Sequence, residues 1–240
     1  MAKAKPKRAT AKKRRSRTAA QRQRRSHIER RQDAQDKLMR AAIALLVERG
    51  YAGFSTIAVA ARAGVSRGAR ENYYKTKYDL IEAAWQAALM RAETDAKLLA
   101  DNILVSADPV EDFVSNSASF FLGEDYLAML ELAMAARTDT RIERIFHALF
   151  RENRKRHDRV WIDAFARAGY AKADVARFIA VANCLFRGAA LMAAFGLPKK
   201  SYRGVVSELR GIAEMYLEVP GKKASVSRAQ RSKRRRAPSP

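Results

Sequence analysis

Apolar residues along most of this chain recur three and four positions apart, the spacing of one face of an α-helix, and no strand-like alternation runs long enough to argue for a sheet. The pattern predicts an all-α fold of about nine helices. A first helix begins near Gln32 and is closed by Gly50; a fourth runs from about Tyr78 to Leu99; Asp108-Pro109 opens a fifth that ends near Gly123. A sixth spans about Glu124 to Arg137. A seventh starts at Asp139, carries Ile142, Ile145, Phe146 and Leu149 at helical spacing, and continues to about Ala168 before Gly169-Tyr170. The clearest periodicity comes last. Val175, Phe178, Ile179, Ala182, Leu185, Phe186, Ala189, Met192 and Ala193 share one face, Gly196-Leu197-Pro198 breaks the chain, and Tyr202, Val205, Val206, Leu209, Ile212, Ala213 and Tyr216 repeat the pattern. Two such helices form a hairpin with a face to bury. That face packs either on a second subunit, giving a two-fold four-helix bundle, or on the protomer's own core.

Between the first and fourth helices lies Ser55 to Leu80, STIAVAARAGVSRGARENYYKTKYDL, which predicts two short helices around a turn at Ala63-Gly64-Val65-Ser66. Ser55 or Thr56 caps the first of them, and Ile57, Val59 and Ala60 to Ala63 supply its apolar face. Gly64 takes the left-handed conformation that ends a helix, Val65 plugs the turn into the core, and Ser66 caps the helix that starts at about Arg67. Such a helix-turn-helix usually binds DNA. The early positions of its second helix mix small residues that permit close approach with donors that reach base edges or phosphates.

The ordered set Leu38-Met39, Ala41-Ala42, Glu48-Arg49-Gly50-Tyr51, Ala63-Gly64-Val65-Ser66, Gly68, Tyr74, Lys77 and Asp79-Leu80 resembles the DNA-binding domain of the TetR family of bacterial regulators, over about Gln32 to Ala84. The resemblance implies a symmetric dimer that presents two recognition helices to a pseudo-palindromic operator, with a ligand-responsive helical domain behind them. It also implies that a small-molecule effector binds among the middle helices and shifts the fourth. Many members carry a Leu-Tyr pair where this chain has Arg70-Glu71, and that tyrosine commonly meets a phosphate. Glu71 cannot do so: it must turn away, pair with Arg67, Arg70 or Lys75, or accept a cytosine amino hydrogen.

Charge divides the chain further. The formal net charge is +23, yet residues 1–31 hold 14 Lys/Arg against one acidic residue and residues 221–240 hold 8 against none, so residues 32–220 are nearly neutral. The two ends lack apolar periodicity and read as basic disordered tails. The organisation expected is therefore a tail over 1–31, a helix-turn-helix domain over 32–80, a helical effector-binding and dimerisation domain over 81–220, and a second tail over 221–240. The N-terminal tail runs into the reading domain and is placed to follow phosphates or enter a minor groove, or it is a solvated arm.

No cofactor is expected. His27, His147 and His157 have no ligand-like spacing, so no metal site is expected either, and Cys184 is the sole cysteine. The apolar run Phe178 to Leu197 is interrupted by Asn183 and Arg187, which argues against a membrane span. The basic N-terminus is not followed by the apolar stretch of a signal peptide. The lone cysteine fits a reducing cytoplasm, and the family resemblance implies a bacterial one, with the protein on the nucleoid.

Thr56, Tyr73 and Lys77 are the candidates for phosphate contacts, with Ser55 a cap or further donor; Arg67, Ala69, Arg70 and Asn72 are the candidates for base edges, and Gly68 allows close backbone approach. Candidate effector-pocket residues are Trp85, Phe113, Phe120, Phe121, Met129, Met134, Phe146, Phe150, Trp161 and Phe165, each of which serves equally well as core. The cluster Arg151, Arg154, Lys155, Arg156 and Arg159 suits an anionic ligand or a solvated helix face. Dimer-interface candidates are Phe178, Leu185, Phe186, Met192, Val205, Leu209, Ile212 and Tyr216. Three functions follow: a sequence-specific regulator, as a repressor, acting as a homodimer on double-stranded DNA; a weakly selective DNA-coating protein dominated by its tails; and an enzyme. For the last, no nucleophile-base set, paired carboxylates or phosphate-binding Gly loop is visible.

Overall fold

The structure is a computed structural model that describes the backbone of residues 8–198 and 200–217, with side chains described from residue 28 onward except at 201, 203 and 205. The described residues form ten helices and no strand: α1 Arg8–Arg49, α2 Thr56–Ala63, α3 Arg67–Tyr73, α4 Lys77–Asp101, α5 Pro109–Phe121, α6 Glu124–Ala135, α7 Thr140–Arg167, α8 Lys172–Ala194, α9 Lys200–Ser207 and α10 Leu209–Tyr216.

Two of these differ from the sequence expectation. The first helix begins at Arg8 rather than near Gln32, so residues 8–31 are helical where a disordered tail was expected. Apolar periodicity is absent there, but after Pro6 the segment contains no Gly or Pro and is dominated by Ala, Arg, Lys and Gln, which lose little entropy in a helix. The final helix is broken at Glu208 into α9 and α10. Residues 1–7 and the C-terminal segment 221–240 lie outside the described residues.

Local chemistry sets the boundaries. Gly50 leaves α1 at φ 64°. Thr76 and Asp79 form a reciprocal capping box on α4: the Asp79 N–H donates to Thr76 Oγ1 at 3.2 Å and the Thr76 N–H donates to Asp79 Oδ2 at 2.8 Å. Asp108 accepts the N–H groups of Val110 and Glu111 at 3.1 and 3.0 Å, with Pro109 in the first turn, and so starts α5.

Helices α1 to α4 bury Leu38, Ala42, Leu45, Leu46, Phe54, Val59, Tyr74 and Leu80 in one small core. Helix α4 then leaves this head and packs along α7, joining it to a body of α5 to α10. There Phe113 meets Trp161 edge-on at 5.3 Å and Phe178 at 5.4 Å, while Phe121 stacks on Phe186 at 5.4 Å. Helix α8 is long and apolar enough to cross a membrane by length and composition. Its Phe178, Ile179, Ala182 and Phe186 are instead buried in this body, and Asn183 donates to Asp158 of α7 at 3.2 Å.

Candidate DNA-reading head and effector cavity

The turn between α2 and α3 is built as its residues require. Ser55 Oγ accepts the Ala58 N–H at 3.1 Å, Gly64 adopts φ 64°, and Ser66 Oγ accepts the Ala69 N–H at 3.2 Å. On α2, Val59 and Ala60 face the core, but Ile57 is 67% exposed and so does not belong to the apolar face expected of it. A helix of 8 residues has little room for a wide buried stripe.

Helix α3 presents Arg67, Gly68 and Asn72 to the outside, with Ala69 and Tyr73 half-buried. Ser55 is exposed and Thr56 half-buried at the adjoining end of α2. Arg31, on α1, lies over the Tyr73 ring with its guanidinium carbon 5.6 Å from the centroid. That contact joins α1 to α3 at Arg31, where the basic stretch of α1 ends.

Arg70 departs from expectation. It is only 5% exposed, its Nη1 donates to the Tyr74 carbonyl at 3.1 Å and its Nη2 donates to Glu71 at 3.1 Å. Its guanidinium therefore ties down the end of α3 and is not offered to a base edge. Glu71 takes the pairing route open to it, accepting also from Arg67 Nε at 2.9 Å. The Arg67 hydrogen bond holds the Glu71 carboxyl below its ordinary range, so the carboxylate stays charged and neutralises the two arginines that flank it.

Lys77 is half-buried, with Nζ 4.4 Å from the Tyr51 ring and 5.1 Å from the Tyr78 ring, so its ammonium faces the joint between head and body. At that joint Asp139, which starts α7 by accepting from the Arg141 and Ile142 N–H groups, also accepts the Tyr51 hydroxyl at 2.5 Å and the Tyr78 hydroxyl at 3.0 Å. The Tyr51 hydrogen bond draws the Asp139 carboxyl down to about 2, against the desolvation that opposes it. Burial, followed by Asp139, pushes the Tyr51 phenol up. No local pattern signals this triad, in which Tyr51 and Tyr78 lie 88 and 61 positions from Asp139.

In the body, α4 to α8 line a partly open cavity of about 40 Å³. Of the expected pocket residues, Phe120, Phe121, Met129 and Phe150 line it. Trp85, Phe113, Trp161 and Phe165 do not; they are fully buried in the core, the alternative open to any aromatic on these helices. Phe146 sits behind the wall, stacked on Phe150 at 5.3 Å and packed on Trp85 at 5.2 Å, and Met134 is exposed. The polar lining comprises Asn153, Arg154, His157, Asp158, Asn183, Arg187 and the Tyr126 hydroxyl, with which Arg187 pairs. Asn183 and Arg187 had been legible only as interruptions of an apolar run. Of the basic cluster on α7 only Arg154 reaches the cavity, paired with Asp158 at 3.5 Å; all five residues are exposed. Burial holds His157 below its ordinary value, with Asp158 and Glu93 opposing, and keeps its ring neutral near pH 7.

The dimer candidates divide. Phe178, Phe186 and Leu209 are 0% exposed within the protomer and belong to its own core, because the outer turns of a hairpin helix must first cover the body beneath it. Leu185, Met192, Ile212 and Tyr216 are half-buried and keep surface to offer, while the Val205 side chain lies outside the described residues.

A capped helix-turn-helix head carried by a long helix into a helical body with its own cavity defines a DNA-binding transcriptional regulator. Residues 38–84 match the family described as bacterial regulatory proteins, tetR family. The chain is 27% identical over 190 residues to the HTH-type transcriptional regulator CymR of Pseudomonas putida, covering 79% of this chain and 94% of that one. It is 29% identical over 136 residues to an uncharacterized HTH-type transcriptional regulator of Mycobacterium bovis, covering 56% and 69%. In fold it resembles a TetR-family regulator from Rhodococcus sp. (TM-score 0.61, 19% identity, 78% of this chain and 100% of that one). A regulator from Saccharomonospora viridis in complex with choline is similar (TM-score 0.59, 16% identity, 78% and 98%). Residues 38–84 thus carry the DNA-binding unit of that family, and the curated relatives that the chain resembles beyond it are DNA-binding transcriptional regulators.

Proposed function

We propose that the protein is a homodimeric repressor that reads a pseudo-palindromic operator and is released by a small molecule bound in the α4–α8 cavity. The observation that carries this reading is the continuity of α4, which enters the reading head at Lys77 and Tyr78 and borders the cavity at Leu89 and Ala92. A ligand that prefers one position of α4 changes the spacing of two reading helices that must fit half-sites about 34–36 Å apart. Small-molecule binding on this fold is supported by the Saccharomonospora viridis regulator in complex with choline.

Ser55, Thr56 and Tyr73 are assigned to phosphates, and Arg67, Ala69 and Asn72 to the groove floor, with Gly68 admitting the backbone. The dimer face comprises the half-buried Leu185, Met192, Ile212 and Tyr216, continued by Leu191 and Phe195, which are 43% and 71% exposed. Burying that apolar edge against its symmetry mate removes it from water. The site of action is the bacterial cytoplasm, on the nucleoid.

The inward turn of Arg70 favours one competing reading, a weakly selective DNA-coating protein, because it removes a base reader from a helix of 7 residues. Selection of bound DNA from a random pool, with the full chain and with residues 1–25 and 221–240 removed, separates the two. One palindromic motif recovered by both forms is the expected result. Recovery of no motif by either establishes the coating protein instead.

A further inference from the structure

Arg187 projects from the middle of α8 into the cavity, where it pairs with the Tyr126 hydroxyl but meets no carboxylate among the described residues. Its guanidinium carbon lies 5.5 Å from the centroid of Phe150 and 5.9 Å from that of Phe121, and its Nε is buried without a hydrogen-bond partner. The one acid that lines the cavity, Asp158, is already engaged by Arg154 at 3.5 Å and Asn183 at 3.2 Å. With His157 neutral, the lining carries one uncompensated positive charge beside aromatic and aliphatic walls. The guanidinium is half-buried without a counter-ion and its buried Nε–H is unmet, two costs that a bound anion would relieve. Asn153 of α7 also lines the cavity and has an orphaned amide oxygen, which an amide flip would exchange for an NH2.

We propose that the cavity takes a small monocarboxylate with an apolar body, its carboxylate held by Arg187 and its body lodged among Phe121, Met129 and Phe150. The assignment rests on the effector reading above. A guanidinium offers parallel N–H donors matched to a carboxylate, and the apolar walls reject a ligand charged at both ends. A quaternary ammonium faces repulsion from Arg187. In the present state the cavity, at about 40 Å³, is smaller than the ~150 Å³ that admits benzene, so the ligand must displace a wall. Phe150 is the half-buried part of that wall, and the guanidinium rests on its face. Drawing Arg187 onto a carboxylate frees Phe150, which stacks on Phe146, which packs on Trp85 of α4. The ligand thereby acts on the helix that carries the reading head.

The test uses the full chain with benzoate, phenylacetate and hexanoate, their primary amides, and choline. Binding is followed by titration calorimetry, and release of the DNA motif selected above by fluorescence anisotropy. At least one carboxylate should bind and release DNA, with its amide at least about tenfold weaker, the loss expected when a buried charge loses its partner. Arg187→Gln should lose that preference, and Arg187→Lys should keep part of it, which separates loss of charge from loss of fold. Amides binding as tightly as acids, Arg187→Gln binding acids unchanged, or no acid binding at millimolar concentration would each overturn the proposal. Acids that bind without releasing DNA uphold the ligand class and sink the effector reading. Choline or amides releasing DNA where acids do not uphold the effector reading and sink the ligand class.

Discussion

On the reading helix, the residue that tells most is the smallest. A Cβ added at Gly68 meets nothing within 4 Å in the protein, and the position is exposed in the first turns of α3. The fold therefore places no demand for glycine there; on the proposed reading, an approaching DNA backbone supplies one. Gly68→Ala should stabilise the protein by about 0.4–1 kcal/mol, since alanine restricts the unfolded chain, and at the same time weaken DNA binding. Thermal melts and anisotropy measured side by side check this; a substitution that stabilises without touching DNA affinity shows that the helix does not come close at this point. Arg70 makes the opposite case. Because its guanidinium holds the Tyr74 carbonyl and Glu71, Arg70→Ala should cost about 1–3 kcal/mol of stability and lower affinity for all DNA sequences alike. A change in the ranking of operator variants would instead return Arg70 to the bases.

At the scale of elements, the joint between head and body rests on one carboxylate that serves three structures. Asp139 starts α7, receives Tyr51 from the turn after α1 and receives Tyr78 from α4. Tyr51→Phe removes one of these hydrogen bonds and should cost about 1 kcal/mol, which lowers Tm by about 2–4 °C in a chain of this size. The Asp139 carboxyl is drawn from 3.8 to about 2, so its contribution is complete above the ordinary value and is lost as pH falls from about 4 through about 2. Asp139→Asn keeps a side chain that caps a helix well and removes the charge. Over that pH range its Tm should fall less than that of the unchanged protein, and parallel curves would place the acid sensitivity elsewhere. Most elements were legible in the sequence because their signals are local: Ser55, Gly64, Ser66, Asp108 and Asp139 each mark a boundary through their own side chain or backbone. The Tyr51–Asp139–Tyr78 triad and the place of Arg187 in the cavity were not legible, since each arises when distant segments meet. The inward turn of Arg70 escaped for a related reason: in seven residues there is too little periodicity to say which face a side chain joins. The early start of α1 was hidden because the apolar pattern, and not helix propensity, was the guide.

For the whole molecule, the question is how the basic ends and the reading head share the work of binding. Most of the 14 Lys/Arg of residues 1–31 belong to the stretch of α1 that precedes Arg31, which lies over Tyr73 of α3, so on the proposed reading this charge adjoins the DNA-reading head in the chain. Charge of this kind releases counterions from the duplex: for each phosphate neutralised, the slope of log K against log salt steepens by about 0.9, with no regard to sequence. The head contributes through shape and donors on α3, whose preference among sequences does not depend on salt in this way. Deleting residues 1–25 should therefore flatten the salt slope by several such steps, weaken binding most at low salt, and leave the order of preference among operator variants intact. Equilibrium titrations of the full and shortened chains on a strong and a weakened operator, at several salt concentrations, separate the two contributions. An unchanged slope makes the extension a bystander to DNA. A collapse of the preference order together with the slope makes it part of the reader, with Tyr73, held under Arg31, as the point where the two are joined.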